Sequence, residues 1–177
     1  MTENTNNRDL TLELVLNAPR DLIWRCWTEA PLIEQWFTPK PYTTEVEFLD
    51  LRPGGSSVFI MRGPNGEEMR QPGVYLEVIP TEKLVFTDAY TSAWTPSEKP
   101  FFTGEIRLSD AGGGKTNYTA IARHWSEEDR RAHEEMGFHQ AGGKPPCNWK
   151  SSPAALSLCE VTNKRPRSHH LAAWCCM

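Results

Sequence analysis

The sequence predicts an α+β fold in which one antiparallel sheet carries its helices on one face. Two observations predict it. Apolar residues recur at helical spacing between residues 20 and 37, whereas from Thr43 to Trp125 the apolar period is two. Short turns rich in glycine and proline divide the second region into about six strands, and turns of this length join antiparallel neighbours. Together with one earlier strand, a single sheet of six to seven strands results.

The first part of the chain predicts one strand and two helices. Leucines alternate along Leu10–Leu16, which places them on one face of a strand. Pro19 opens a helix over Asp21–Ala30, with the residues just before it as the cap region, because proline is tolerated in the first helical turn. Pro31 starts a second, short helix that ends near Trp36.

Six strands then follow one another as a meander. Each alternates apolar and polar side chains, which is the pattern of a strand with one buried face. The turn at Pro64-Asn65-Gly66 is a strong hairpin signal because asparagine and glycine tolerate a positive φ. The predicted strands are the one from Thr43 through Phe48, then Ser57–Arg62, Gln71–Ile79, Leu84–Tyr90, Phe101–Leu108 and Thr116–Trp125.

A long connection and a final helix complete the predicted elements. Ser92–Pro100 contains two prolines and Trp94, and it predicts a loop. Ser126 caps a helix whose first turn carries three acidic residues, as the helix dipole favours. No internal repeat or low-complexity tract interrupts this order. We therefore expect a single domain over residues 1–140.

Charge and cysteine content restrict the class of partner. Five of the 19 basic residues but only one of the 23 acidic residues lie from Ala141 onward, so residues 1–140 hold 14 basic and 22 acidic side chains, a charge of −8. Nucleic acids and anionic membranes bind basic surfaces, so neither is the expected partner. Four of the five cysteines follow residue 140, and only one lies before it, so the cysteines do not form the disulfide framework of a secreted domain. With a polar start and no apolar span, we expect a cytoplasmic protein.

Short strings between Asp9 and Gln140 carry a family resemblance. In chain order they are Ala18-Pro19 before Ile23-Trp24, Glu34-Gln35-Trp36-Phe37, Leu51-Arg52-Pro53-Gly54-Gly55, Asn65-Gly66, Gly73-Val74-Tyr75-Leu76-Glu77-Val78, Lys83-Leu84-Val85-Phe86-Thr87, Gly114-Lys115-Thr116 and Gly137-Phe138. The ordered set resembles the C-terminal-domain-like branch of the activators of the heat-shock-chaperone ATPase, within the SRPBCC superfamily. The resemblance rests on the order of the strings rather than on any one of them.

The resemblance implies the helix-grip fold, also called START-like or Bet v-type, in which a long C-terminal helix lies across a curved sheet. Members mostly bind hydrophobic small molecules in an apolar cavity between helix and sheet. The resemblance therefore implies a non-enzymatic binder of a small hydrophobic or aromatic molecule, without a cofactor, as a monomer or homodimer. Two alternatives stay open: an SRPBCC-type cyclase or hydrolase, and a module that contacts a chaperone and stimulates its ATPase.

Aromatic side chains on the predicted strands dominate the set of candidate ligand-binding residues. Strand alternation places about half of the aromatic residues on the concave face, where they either line an apolar pocket or fill the core. The resemblance favours a pocket position for Trp36, Met61 and Tyr75. The candidate ligand-binding residues are Trp36, Phe59, Met61, Tyr75, Phe86, Tyr90, Phe102, Tyr118 and Phe138.

No motif indicates nucleotide binding, metal binding or covalent catalysis, so we assign no catalytic residue and no metal ligand. Gly112–Thr116 joins two strands and predicts a hairpin turn instead of a phosphate loop. His124 and Asp88 are candidates for acid–base chemistry if they face the cavity. His133 lies among charged residues of the last helix, and we expect it to be solvated. The histidines and cysteines near the C terminus lack the ordered framework that a zinc site needs.

Residues 141–177 break the pattern of a final amphipathic helix. The prolines between Pro145 and Pro153 exclude a continuous helix there. We hypothesise a reading-frame shift just after Gln140. The codons of Cys147–Leu158, read one base earlier, permit Leu-Gln-Leu-Glu-Glu-Leu-Ala-Arg-Ser-Leu-Glu, which is an amphipathic helix. We therefore expect an out-of-frame or disordered tail, and coding DNA that lacks these bases would disprove the frame shift.

Overall fold

A computed structural model describes residues 7–38, 40–135 and 138. Within them the chain adopts the predicted α+β fold, in which short helices lie against one curved antiparallel sheet. The segment 141–177 and its hypothesised frame shift lie outside the described residues.

The described residues form nine strands and three helices. As predicted, two short helices follow the first strand and one helix follows the last strand. Several strand boundaries differ: β4 begins at Glu68 and not at Gln71, and β8 continues to Gly112, beyond the predicted end at Leu108. The elements are β1 Asp9–Leu16, α1 Arg20–Thr28, α2 Ala30–Trp36, β2 Thr43–Leu49, β3 Ser56–Arg62, β4 Glu68–Ile79, β5 Lys83–Thr87, β6 Tyr90–Ser92, β7 Thr95–Pro96, β8 Phe102–Gly112, β9 Lys115–His124 and α3 Glu127–Glu135.

The two short helices connect opposite edges of the sheet. Seven strands lie in the order β1-β9-β8-β5-β4-β3-β2, all paired antiparallel, whereas β6 and β7 form a separate two-stranded sheet. β1 and β2 are therefore opposite edges of the large sheet, although only α1 and α2 lie between them in the chain. A connection between opposite edges passes over one face of the sheet, so the two helices cover that face.

The leucine alternation of β1 is confirmed. Leu10 and Leu16 are buried, whereas Val15 is 58% exposed on the other side of the strand. β1 pairs with β9, where Ala120 and Ala122 have no exposed surface. The small alanine side chains leave room for large apolar side chains to pack over the middle of the sheet.

Both short helices begin at residues with an extended backbone. Pro19 is itself the N-cap residue of α1, and no side chain caps this end, which corrects the expected cap region just before Pro19. Ile23 and Trp27, four residues apart, form the buried stripe of α1. Glu29 ends α1 and also serves as the N-cap of α2, whose first turn contains Pro31 as predicted.

Three bulges interrupt the register of the large sheet. They lie between Val46 and Phe48 in β2, between Tyr75 and Glu77 in β4, and between Asp110 and Gly112 in β8 beside the turn to β9. An extra residue in one strand bends that strand and increases its local twist. The bulge in β4 leaves Tyr75 only 3% exposed while the next residue, Leu76, is 40% exposed. The bulges thus add to the curvature of the sheet.

The predicted loop over Ser92–Pro100 is wrong in part, because it contains the last residue of β6 and all of β7, which pair as a small hairpin. The predicted strand Leu84–Tyr90 also ends early, before Asp88. The carboxylate of Asp88 accepts the backbone N–H groups of Phe101 at 2.9 Å and Phe102 at 3.2 Å. These two bonds hold Asp88 next to Phe101 and Phe102. The residues between Asp88 and Phe101 therefore leave the large sheet, and they contain the hairpin of β6 and β7.

Candidate functional site

One row of side chains runs across five strands on the helix side of the sheet. Its members, each directly opposite the next, are Tyr75 of β4, Phe86 of β5, Gly104 of β8, Ala122 of β9 and Leu10 of β1. Residues directly opposite each other in paired strands point to the same face. We call the face that contains this row the inner face, because the ring of Phe86 contacts Trp27 of α1 there.

The neighbouring strand β3 extends the inner face. Ser57 lies opposite Gly73, which is two residues before Tyr75 and therefore shares its face. Phe59 and Met61 follow Ser57 at alternate positions and lie on the same side. Met61 is 1% exposed, so it belongs to the tightly packed part of this face.

Aromatic rings form a continuous path between the inner face and the two helices. Trp27 packs edge-on against Trp36 of α2, with ring centroids 4.7 Å apart, and its ring lies 6.0 Å from that of Phe86. Phe37 lies between Trp36 at 5.7 Å and Phe59 at 4.8 Å. The path thus leads from β3 through α2 and α1 to β5.

Three partly covered aromatic rings lie on or beside the inner face, and we call the region around Phe59, Phe86 and Trp36 the hollow. Phe59 and Phe86 lie on strands that are paired along both edges, yet both side chains are only half-buried. Both side chains point to the inner face, so their exposed parts lie on that face. Trp36 is also half-buried, and its indole N–H donates to the carbonyl of Cys26 at 2.7 Å. This bond holds the indole beside the hollow.

Gly104 makes room for the ring of Phe86. A Cβ atom at position 104 would lie 2.5 Å from Cζ and 2.7 Å from Cε2 of Phe86. The ring therefore lies across the backbone of β8, with its centroid 6.1 Å from that of Phe102. Sequence reasoning did not identify Gly104. The signal was a glycine within a predicted strand, which often marks a close approach of another group.

Polar groups lie among the rings of the inner face. The hydroxyl of Tyr75 hydrogen-bonds with Ser57, and burial raises the pKa of Tyr75 to about 12, although the bond to Ser57 opposes the rise. The phenol therefore stays protonated and able to donate at neutral pH. Gln71, directly opposite Phe59, brings an amide with both donor and acceptor atoms to the same face. Groups of this kind orient a polar atom of an otherwise apolar ligand.

The opposite, outer face of the sheet holds a cluster of cations around one acid. The carboxylate of Glu105 is buried; Arg107 and Arg123 donate to it, and the Lys83 ammonium lies 3.8 Å away. Burial raises the pKa of Glu105, but the hydrogen bonds from the two arginines outweigh burial and lower it. Within the strands that the structure describes, alternation puts no lysine or arginine on the inner face. That face is therefore better suited to an uncharged ligand than to an anion.

The acid–base candidates lie at one end of the inner face. His133 is buried, which corrects the expectation of a solvated side chain: α3 turns it toward β9, where its Nδ1 lies 2.8 Å from Nε2 of His124. Burial raises the pKa of Asp88, although its hydrogen bonds from the backbone of Phe101 and Phe102 oppose the rise. These contacts give His124 and Asp88 a structural role, and an acid–base role stays a prediction.

Most of the candidate ligand-binding residues meet at the inner face, and Trp36 reaches it from α2. Tyr90 lies instead in the β6–β7 hairpin, where its ring centroid is 5.7 Å from that of Trp94. Phe138 is fully buried against His133, with ring centroids 5.3 Å apart. Ligand contact by any of them stays a prediction. The candidates on the strands of this face are Phe59, Met61, Tyr75, Phe86, Phe102 and Tyr118.

Residues 7–38, 40–135 and 138 contain neither a metal-binding group nor a membrane-spanning helix. In this part of the chain, no group of three or more histidine, cysteine or acidic side chains is placed to hold a metal ion. No helix there is both long enough and apolar enough to cross a membrane. Gly112–Thr116 spans the turn between β8 and β9, which confirms the predicted hairpin connection.

One protein family and several solved structures are similar to this chain. The profile of the family described as Activator of Hsp90 ATPase homolog 1-like protein matches residues 17–144. A crystal structure of a protein from Nitrosomonas europaea is similar with 38% identity and a TM-score of 0.71, over 76% of this chain and 86% of that chain. No curated protein matches this chain.

Two further solved structures are similar at lower identity. A protein from Mycobacterium smegmatis has 23% identity and a TM-score of 0.63, over 78% of this chain and 86% of that chain. A protein from Staphylococcus epidermidis has 20% identity and a TM-score of 0.66, over 79% of this chain and 85% of that chain. At these identities the similarity shows the fold alone.

Proposed function

Because the chain belongs to the family of Activator of Hsp90 ATPase homolog 1-like proteins, we propose that it binds a small apolar or aromatic molecule on the inner face. The molecule is released unchanged. The observation that carries this proposal is that Phe59 and Phe86 are only half-buried, although both lie on strands that are paired along both edges. Covering hydrated aromatic surface is favourable, so a ligand in this space stabilises the fold.

The size of the covered area sets the expected affinity. Covering roughly 150 Å² of apolar surface on the protein, the area of one aromatic side chain, and a similar area on the ligand, at about 25 cal/mol per Å², contributes about 7–8 kcal/mol. The loss of the ligand's translational and rotational freedom opposes this gain, so we expect affinity in the micromolar range or weaker. A hydrogen bond to Tyr75 or Gln71 adds about 1 kcal/mol and selects ligands that carry one polar atom.

Native mass spectrometry of the full chain, purified without added ligand, is the first test. We expect a bound small molecule that leaves on activation and has the same mass after prolonged incubation with the protein. Titration with the uncharged apolar fluorophore Nile red then measures the capacity of the inner face. A protein that carries no small molecule and does not bind Nile red would contradict the proposal.

Substitutions on the two faces of the sheet locate the binding. We expect Phe59→Ala and Phe86→Ala each to weaken Nile red binding about fivefold or more, because each removes an aromatic ring from the hollow. Phe48→Ala is the matched control: Phe48 is 51% exposed and lies opposite Val58, which points away from the inner face. Circular dichroism verifies that each variant is folded. Equal affinities of the three folded variants would exclude the inner face as the site.

The description of the family favours a second candidate function, stimulation of a chaperone ATPase. This function requires contact with a partner protein, whereas small-molecule binding does not. The test is the rate of ATP hydrolysis by purified Hsp90 with and without the full chain. An unchanged rate at saturating concentration would eliminate this candidate and leave the small-molecule proposal intact.

A further inference from the structure

Two buried histidines join the last helix to the sheet. Nε2 of His124, the final residue of β9, lies 2.8 Å from Nδ1 of His133 in α3. The other ring nitrogen of His124, Nδ1, lies 2.9 Å from the carbonyl oxygen of Arg8. His124 is 5% exposed and His133 is 2% exposed. The pair thus connects the segment before β1, the end of β9 and the middle of α3.

The hydrogen-bond partners determine which nitrogen carries each hydrogen. A carbonyl oxygen only accepts, so Nδ1 of His124 must carry a hydrogen and donate it to Arg8. In a neutral imidazole the second nitrogen is then an acceptor. Nε2 of His124 therefore accepts the N–H at Nδ1 of His133. A proton added to Nε2 of His124 turns this nitrogen from an acceptor into a donor, so two N–H groups face each other for as long as His133 keeps its hydrogen on Nδ1.

The surroundings of the pair make that proton costly. The rings of Phe101 and Phe102 contact both histidines, with centroids between 5.3 and 6.2 Å away. Charges act in both directions, since Asp129 and Asp9 favour the protonated form of His124 and Arg130 disfavours it. The charged residues around the pair are Arg8 and Asp9 beside β1, Asp129 and Arg130 on α3, and Asp88, which interacts with Asp129, after β5.

We propose that the His124–His133 pair is an acid-sensitive latch that holds α3 on the sheet at neutral pH and releases it when His124 is protonated. Release uncovers the rings of Phe101 and Phe102, and it opens the end of the inner face where Phe102 lies. The latch consists of residues of this chain alone, so it does not depend on the proposed ligand or on a chaperone partner.

The direction of the pH effect follows from the burial of His124. Burial lowers the pKa of His124 below its ordinary value of 6.5, although the bond to Arg8 opposes the shift. The docked ring therefore binds a proton less readily than the released ring. By linkage, the free energy that holds α3 on the sheet is at its full value above about pH 6.5 and decreases as the pH falls below that value.

Amide hydrogen exchange of the full chain measures the release of α3. Between about pH 7.5 and pH 5.5, we expect the protection of Arg130–Glu135 amides, corrected for intrinsic exchange, to fall by at most about tenfold, while amides of β5 keep theirs. His124→Gln is the non-titrating variant, because its amide oxygen can accept from His133. Its α3 amides should keep the same protection at both pH values. Equal protection in the wild type at both pH values would overturn the latch, as would an undiminished pH response in folded His124→Gln.

If His124→Gln does not fold, the wild type still decides the question. Long-range ¹⁵N–¹H NMR should show a hydrogen on Nδ1 of His124 and a bare Nε2 at neutral pH. Both nitrogens should become protonated over the same pH range in which α3 loses protection. Protonation of His124 with α3 protection unchanged would overturn the proposal. None of these measurements uses a ligand, so failure of Nile red binding is distinguishable from failure of the latch.

Discussion

Replacing Gly104 by alanine tests whether the close packing of Phe86 on β8 shapes the inner face. The added Cβ would lie 2.5, 2.7 and 3.0 Å from Cζ, Cε2 and Cε1 of Phe86, whereas carbon atoms ordinarily pack at about 3.5–4.0 Å. The ring must therefore move by about 1 Å into the hollow. Overpacking costs about 1–3 kcal/mol, and removing a glycine from a strand stabilises by about 0.5–1 kcal/mol. We expect Gly104→Ala to lower the free energy of unfolding by about 1–2 kcal/mol.

A double-mutant cycle with Phe86→Leu separates this clash from other effects. Leucine lacks the three ring atoms that the new Cβ would meet, so Gly104→Ala should be nearly neutral in that background. Urea unfolding of the four proteins gives the coupling free energy, which we expect to be about 1 kcal/mol or more. A coupling of zero, with Gly104→Ala equally costly in both backgrounds, would refute the packing argument.

Three further predictions concern stability. Thr116→Val removes the buried hydroxyl that donates to the carbonyl of Ala18 at 2.6 Å, and it should cost about 1–2 kcal/mol in urea unfolding; an unchanged midpoint would contradict this. Glu105→Gln should lower Tm at neutral pH, because Arg107 and Arg123 lose their shared carboxylate. The lowered pKa of Glu105 means that its stabilisation is lost as the pH falls below about 4.5, so an undiminished difference from the wild type in stronger acid would argue against this network. Restoring the hypothesised reading frame should raise Tm, and equal melting of the two versions would count against it.

Local patterns were sufficient to predict the order of the three helices and of the seven strands in the large sheet. The alternation along Leu10–Leu16 lies within one strand, so it could indicate the buried side of β1 without knowledge of its partner. The same alternation predicted that strand aromatics such as Tyr75, Phe86 and Phe102 are candidates for one common face. The hairpin of β6 and β7 was missed, because it depends on hydrogen bonds that Phe101 and Phe102, more than ten positions away, donate to Asp88.

The sequence by itself determined the fold class and a list of aromatic candidates, because both follow from periodicity along the chain. The tertiary structure decided which distant residues meet. Gly104 faces Phe86 only because β8 pairs with β5, and His133 is buried only because α3 turns it onto His124. Glu105 has the alternating position of a solvated acid, yet it is buried among cations. Such contacts depend on strand register and helix docking across the sheet, and alternation within one strand contains no information about either.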